Sequence, residues 1–543
     1  MTVRSFDTIV VGGGSAGCIL AAELSADPAH HVLLLEHGEP AEANAETLSA
    51  DGYKDAFVND RLLFERFSTE DARWGDRRIF LGTGRGLGGS GSINGMVYTR
   101  GHRADFDAWP HGWRWDDLTP DFEALEQRLR IHRREPTEFT EACIAAAEAR
   151  GFRRSEDLND GDLAGVLGYE WMSYDGDERR SSYAAFLKPA LGRPNLEVIT
   201  GAAVRRLLFR GRRATGVEWL RGGQRVRASA TGEVVLTAGA LESPRLLLLS
   251  GVGPGEALRR VGVPVVHDLP GVGQNLHDHP NVSVFFQAKE EVDFNYPQLY
   301  GFHRANHASA LPAGQPDSCY VFYPARSSFR EGLIRLLPNI ALPPAVYGMP
   351  GARAGVRGAI DVLFRARAVR DFVARMYGVV VILGKPESRG SLTLESNDAS
   401  RPARIDPGYF KSATDMETMI HGVRLARQIA SAEPLKQRGN RELLPGPLAR
   451  DSAGIQRFIE KNVMTTFHFA GSCRMGTGEG AVVDGRLRVR GLEGLRVADA
   501  SVMPETPVSA LNAPSMMIGL RAARLIAEDA RHAGADANRA EAR

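Results

Sequence analysis

The stretch FDTIVVGGGSAGCILAAELSADPAHHVLLLEHG, residues 6–38, constrains the fold more than any other part of the chain. Phe6 to Val11 is apolar and β-branched, the composition of a strand buried on both faces. Gly12, Gly14 and Gly17 follow in GxGxxG spacing. Ser15 to Ala26 has helical periodicity, and Pro28 stops it because proline cannot continue a helix. A second strand, HVLLLE, ends in Glu36. In such a unit the first glycine permits the tight turn, the second lets the backbone approach a pyrophosphate, and the third lets helix and strand pack closely. The helix N-terminus, with Ser15 and Ala16, offers free N–H groups and the positive end of a dipole to phosphates. Glu36 is placed to accept hydrogen bonds from an adenosine ribose. An acid there suits an unphosphorylated 2′-OH, so NAD or FAD is expected rather than NADP. The motif alone does not choose between the two.

A chain of 543 residues, 43% hydrophobic and 24% charged, has material for more than one folding unit. Its formal net charge of +1 gives no global field for nucleic acid. The four cysteines, Cys18, Cys143, Cys319 and Cys473, are far apart and form no CxxC pair. They suit a reducing, cytoplasmic setting better than a disulfide framework or a zinc site. The N-terminus shows no secretory leader pattern, and no apolar run approaches the length of a membrane span.

A second glycine cluster, GRGLGGSGSINGMVYTRG (residues 84–101), runs at once into MVYTRG and DFDAW. That is the pattern of a compact loop bringing backbone N–H groups to a ligand, not of a flexible linker. With these two segments, GALESPRLLLLSGVGP (239–254), LPGVGQNLHDHP (269–280), KPESRGSLTL (385–394), FHFAGSCRMG (467–476) and LRVADASVMPETPVSALNAPSMMIG (495–519) follow in order. The sequence resembles the glucose–methanol–choline (GMC) oxidoreductases, flavoenzymes that use FAD.

The resemblance implies a mixed α/β (α+β) fold. A Rossmann-like FAD-binding domain would comprise residues 1–280 with 465–531. A substrate domain, an antiparallel sheet backed by helices, would comprise 281–464. The small, charged composition of residues 532–543 reads as a frayed tail. The resemblance also implies that Gly89 and Ser90 sit near the pyrophosphate or ribityl chain. Asn94, Gly95, Met96 and Val97 would line the flavin. The backbone of Val204 would meet the adenine, and Asp499, with Ala500, the ribityl chain. Some members attach FAD through a histidine just before the asparagine of the second cluster. Ile93 stands there, implying noncovalent FAD.

His468, between Phe467 and Phe469, reads from the bare sequence as a packed core ring. The resemblance makes it the catalytic histidine, with Asn512 as hydrogen-bond partner to the substrate oxygen. Phe467 replaces the tryptophan usual in close relatives, which reshapes the pocket wall. Asn512 and Pro514 also open a helix whose positive end would face the flavin. The expected reaction oxidises an alcohol to an aldehyde or ketone, with oxygen or a quinone-like compound as acceptor. Histidine suits it because its pKa lies near working pH. The alternatives are a flavin-fold lyase, a photodecarboxylase or a noncatalytic flavin-binding protein.

His277 and His279 have HxH spacing, but no ligand cluster supports a metal, and none is expected. Residues 331–377 mix apolar side chains with arginines. They read as ordinary surface helices of a lid, or as a basic amphipathic helix making weak contact with a membrane surface.

Overall fold

The computed structural model describes residues 4–349 and 351–541. The opening unit forms as its residues demand. A strand, Arg4–Val11, leads through Gly12 (φ 107°) into the helix Ser15–Leu24, and the strand Val32–Leu35 returns parallel to the first. Val32 to Leu35 are all buried, and eight of the helix's ten residues are buried, which explains the lack of alternation in either segment.

These strands belong to a sheet with a parallel core in the spatial order Leu196–Ile199, Val32–Leu35, Arg4–Val11, Gln224–Leu236, Leu495–Val497. The first half of Gln224–Leu236 also pairs antiparallel with Arg213–Arg221, which pairs with Ala203–Arg210. The last parallel strand therefore arrives more than 250 residues after its neighbour. The terminal helix, Asn512–Glu541, packs on Ser15–Leu24. A Cβ on Gly519 would lie 2.5 Å from the Ala16 carbonyl oxygen, so the crossing requires glycine. The helix runs through most of the span expected to fray, and residues 542–543 lie outside the described residues.

The second sheet is antiparallel over most of its width. Its central strands are Pro280–Gln287, Met376–Leu383, Ser318–Pro324 and Leu299–His303. Val166–Tyr169 and Arg153–Arg154 extend it, so this sheet also draws on chain that precedes residue 280. The helix Ala413–Ala430 packs against it. One continuous apolar core, from Ile9 and Val234 to Val284 and Val381, joins the two sheets. The stretch 331–377 is broken by turns into the helices Ala325–Ala341, Pro344–Tyr347, Ala352–Arg365 and Arg367–Ala374. No described helix is long and apolar enough to cross a membrane.

Candidate active site

A cavity of about 560 Å³ lies where the two sheets meet. One end is formed by the loops after the parallel strands. Gly12, Gly14, Ser15, Ala16, Glu36, Gly89, Ser90, Asn94, Gly95, Val97, Val204, Asp499, Ala500 and Asn512 all line it. A Cβ on Gly14 would meet nothing closer than 3.9 Å, and one on Gly95 nothing within 4 Å. Both glycines therefore leave open space on the cavity side. The helix Ser15–Leu24 has no side-chain cap at its N-terminus, so its free N–H groups remain available to an anion.

The two glycine loops are tied together. Gly88 N–H donates to the Gly13 carbonyl (2.7 Å). Glu36 accepts from the backbone N–H groups of Gly13 (2.8 Å), Gly38 (2.7 Å) and Gly86 (3.1 Å). The acid is thus a structural clamp as well as a cavity residue. Asp499 behaves similarly: it accepts from Gly239 N–H, Ser243 Oγ–H and Ser501 N–H. Burial pushes both carboxyls upward in pKa.

Two residues of the glycine loops do not reach the cavity, Gly17 as its packing role in the motif predicts and Met96 against its expected place along the flavin. Gly17 is a packing residue: a Cβ there would lie 1.9 Å from the Gly12 carbonyl oxygen. Met96 is fully buried and packs with Ala50 and Met172, while its backbone adopts a positive φ of 65°.

His468 lines the cavity beside the second sheet, half-buried. Its position is set by its neighbours in chain and space. Phe467 takes a positive φ of 63°, which is strained for a bulky residue. Phe467 N–H donates to Thr465 Oγ1 (2.6 Å) and His468 N–H to Asp278 Oδ1 (2.7 Å). Asp278 also accepts from the hydroxyls of Thr465 (2.5 Å) and Tyr409. Desolvation holds the His468 imidazole at a pKa of about 4, so it is neutral at pH 7. It pushes Asp278 up to about 6.

The ring–ring hydrogen bond of His468 is to His279, Nδ1 to Nδ1 at 3.0 Å, with the rings perpendicular. Asn512 is engaged elsewhere. Its Oδ1 accepts from Ser15 Oγ–H at 2.7 Å, at the start of its own helix and beside the dinucleotide loop. It lines the same cavity as His468, but its hydrogen bond is on the cofactor side.

Sequence reasoning missed three contributors. His279 and Asp278 sit in the HDH run whose spacing suggested only a metal, and no metal-like cluster of three such side chains occurs among the described residues. Buried Arg179 donates to Gly91 O, Asn94 Oδ1 and Asn94 O (3.2, 2.8 and 2.7 Å) and fixes the second glycine loop. No local motif marks it. Beyond His468 the cavity is lined by Tyr53, Phe57, Tyr300, Tyr323 and Phe467 with Ile382 and Val508.

Family models described as GMC oxidoreductase match residues 6–281 and 386–519. The chain belongs to the GMC oxidoreductase family. It is 34% identical to an oxygen-dependent choline dehydrogenase of Burkholderia thailandensis, over 95% of this chain and 93% of that one. It is 33% identical to an alcohol dehydrogenase (acceptor) of Pseudomonas putida, over 98% of each. The structure of a pyridoxine 4-oxidase from "Mesorbium loti" superposes with a TM-score of 0.81 at 30% identity, covering 96% of this chain and 98% of that one. As a GMC enzyme the protein is a FAD-dependent oxidoreductase acting on CH–OH donors. The open glycine cradle, the uncapped helix end and the residues around them fit a dinucleotide of that kind.

Proposed function

We propose that the substrate is a neutral apolar or aromatic alcohol, and that His468 handles its hydroxyl proton. One observation carries this reading: His468 lines a cavity with the dinucleotide cradle at one end and an aromatic chamber at the other. Bound FAD supplies the acceptor for the hydride that leaves the alcohol carbon. His468 takes or orients the hydroxyl proton, and being neutral at pH 7 it can accept one. Phe57, Phe467 and the second sheet's tyrosines exclude water and hold the carbon skeleton. Asn512 belongs with the cofactor, at the positive end of its helix.

Aromatic faces can also receive a quaternary ammonium, as a choline dehydrogenase would require. The carboxylates that line this cavity, Glu36, Glu242 and Asp499, lie on the dinucleotide side and are committed to protein donors. Among the described residues no carboxylate lines the aromatic end, where Lys54 does, which favours a neutral substrate over a cationic one. Pyridoxine, named for one similar structure, is itself an aromatic alcohol. Ile93 has no group that bonds to flavin, and the FAD is held noncovalently, so acid precipitation should leave all flavin in the supernatant.

The deciding experiment mixes the purified flavoprotein anaerobically with benzyl alcohol, an aliphatic primary alcohol and choline. Bleaching by the first two and not by choline supports the reading. Bleaching by choline alone overturns the substrate class, and bleaching by none returns the lyase and photodecarboxylase alternatives. Readmitted air then separates oxygen from a quinone-like acceptor.

A peripheral contact with an anionic lipid surface has one observation in its favour. Val362, Leu363 and Phe372 are exposed (63%, 53% and 38%) among exposed Arg365, Arg367 and Arg370. Failure to co-sediment with phosphatidylserine vesicles would remove it.

A further inference from the structure

We propose that Arg179 is a positioning residue for the flavin: it turns the amide N–H2 of Asn94 toward the cavity and holds an unpaired positive charge behind that loop, which raises the cofactor's reduction potential. The inference rests on the place of Asn94 in the cavity wall, beside the glycine cradle that fits FAD.

Arg179 belongs to a short hairpin, in which Glu178–Arg179 pairs with Tyr174–Asp175. Its backbone N–H donates to the Leu48 carbonyl (2.8 Å), and its side chain is fully buried. Nη1 reaches Gly91 O and Asn94 Oδ1, Nη2 reaches Asn94 O, and Nε reaches no acceptor. All three acceptors are neutral. Among the described residues no acid pairs with the guanidinium. Glu178 and Asp175, in the same hairpin, turn to Arg180 (3.7 Å) and Arg130 (2.9 Å) instead. The group is nonetheless a cation at pH 7, since burial lowers its pKa only to about 9.

Taking a lone cation out of water is costly even after the surroundings relax. Fastening the loop does not require one, because a neutral amide can donate to two of the same oxygens. The cost is offset when negative charge arrives nearby. A hydride delivers two electrons with one proton and so brings one negative charge into the cavity. The other basic side chains of the wall are placed differently. His37, His279 and His468 are neutral at pH 7, Arg245 is paired with Glu242 (3.1 Å), and Lys54 lies at the aromatic end. Arg179 thus supplies the fixed charge behind the glycine loop, aligned before the reaction begins.

The same side chain settles which way Asn94 faces. Its Oδ1 accepts from Met96 N–H (2.9 Å) as well as from Arg179 (2.8 Å). Both partners donate, so the atom between them is the oxygen, and the opposite end of the amide is N–H2. Asn94 is half-buried and lines the cavity. The loop therefore offers the cofactor a donor and not a carbonyl lone pair, which again suits a ligand that gains negative charge.

The test measures the midpoint potential of bound FAD. The wild type, Arg179→Gln and Arg179→Lys are reduced anaerobically with xanthine and xanthine oxidase against a dye of known potential, at pH 6, which favours a protonated lysine. Arg179→Gln should make reduction less favourable by at least about tenfold, a potential about 30 mV lower for a two-electron couple. Arg179→Lys should stay close to the wild type. A residue that merely fastened the loop would leave the potential of any recovered flavoprotein unchanged. Equal potentials in the wild type and Arg179→Gln, or an equal fall in both variants, overturn the proposal. If the glutamine variant retains no FAD, the wild type decides: a potential above that of free FAD supports the proposal, and one at or below it overturns it. No alcohol enters the measurement, so its outcome is independent of the substrate reading.

Discussion

A neutral histidine in a desolvated wall makes a different pH signature from a free one. His468 titrates near 4 where an exposed imidazole titrates near 6.5. Its basic form is therefore present from about pH 5 upward and is lost as pH falls through 4. The acid limb of the flavin-reduction rate should lie near 4, and His468→Asn should lower the rate about a hundredfold while leaving the FAD spectrum intact. A limb at 6–7 would show that His468 is not desolvated. The same depressed value makes the folded state bind fewer protons than the unfolded one between pH 4 and 6.5. His468 thus stabilises fully above 6.5 and loses that contribution as pH falls to 4. Asp278→Asn tests the scaffold: one side-chain oxygen cannot accept from a backbone N–H and two hydroxyls at once as the carboxylate does. A loss of about 1–3 kcal/mol is expected, read as a lowered Tm. The sequence pointed to His468 through its resemblance, yet His279 and Asp278 were hidden. Their partners lie almost 190 residues away, and three-dimensional proximity leaves no trace in local spacing.

At the level of elements, the opening strand–turn–helix–strand was legible almost residue for residue, because its determinants are local: β-branched runs, glycines and a proline. Gly17 shows what the motif fixes. A Cβ 1.9 Å from a backbone oxygen forces helix and strand apart. Gly17→Ala should therefore yield protein without bound FAD, or insoluble protein, whereas Gly355→Ala, with open space on the exposed helix Ala352–Arg365, should be isolated with normal flavin content. The lid was less legible. Pro343 and Pro344 mark one of its breaks and Gly348 and Gly351 another, but the break at Ala366 carries neither residue type, and apolar residues mixed with arginines run on both sides of it. The strand Val166–Tyr169 was similarly opaque, since its membership of the second sheet is decided by pairing with Leu299–His303, 130 residues on.

At the level of the whole molecule, neither sheet is built from one stretch of chain, and one apolar core runs between them. Saturating FAD should raise the Tm of the whole protein in a single transition, by the equivalent of about 2.7 kcal/mol at a hundredfold excess over Kd. Two separated transitions in calorimetry would show that the sheets melt independently. The late strand Leu495–Val497 has a further consequence, for biosynthesis. A ribosome adding about 5–20 residues per second must work for roughly half a minute or more before this strand emerges. Until then the first sheet has an open edge at Val234–Leu236, and the cradle lacks Asp499 and the helix that begins at Asn512. Flavin loading is thereby deferred to the end of translation, and a nascent chain stalled short of residue 495 is left with exposed sheet for chaperones to shield.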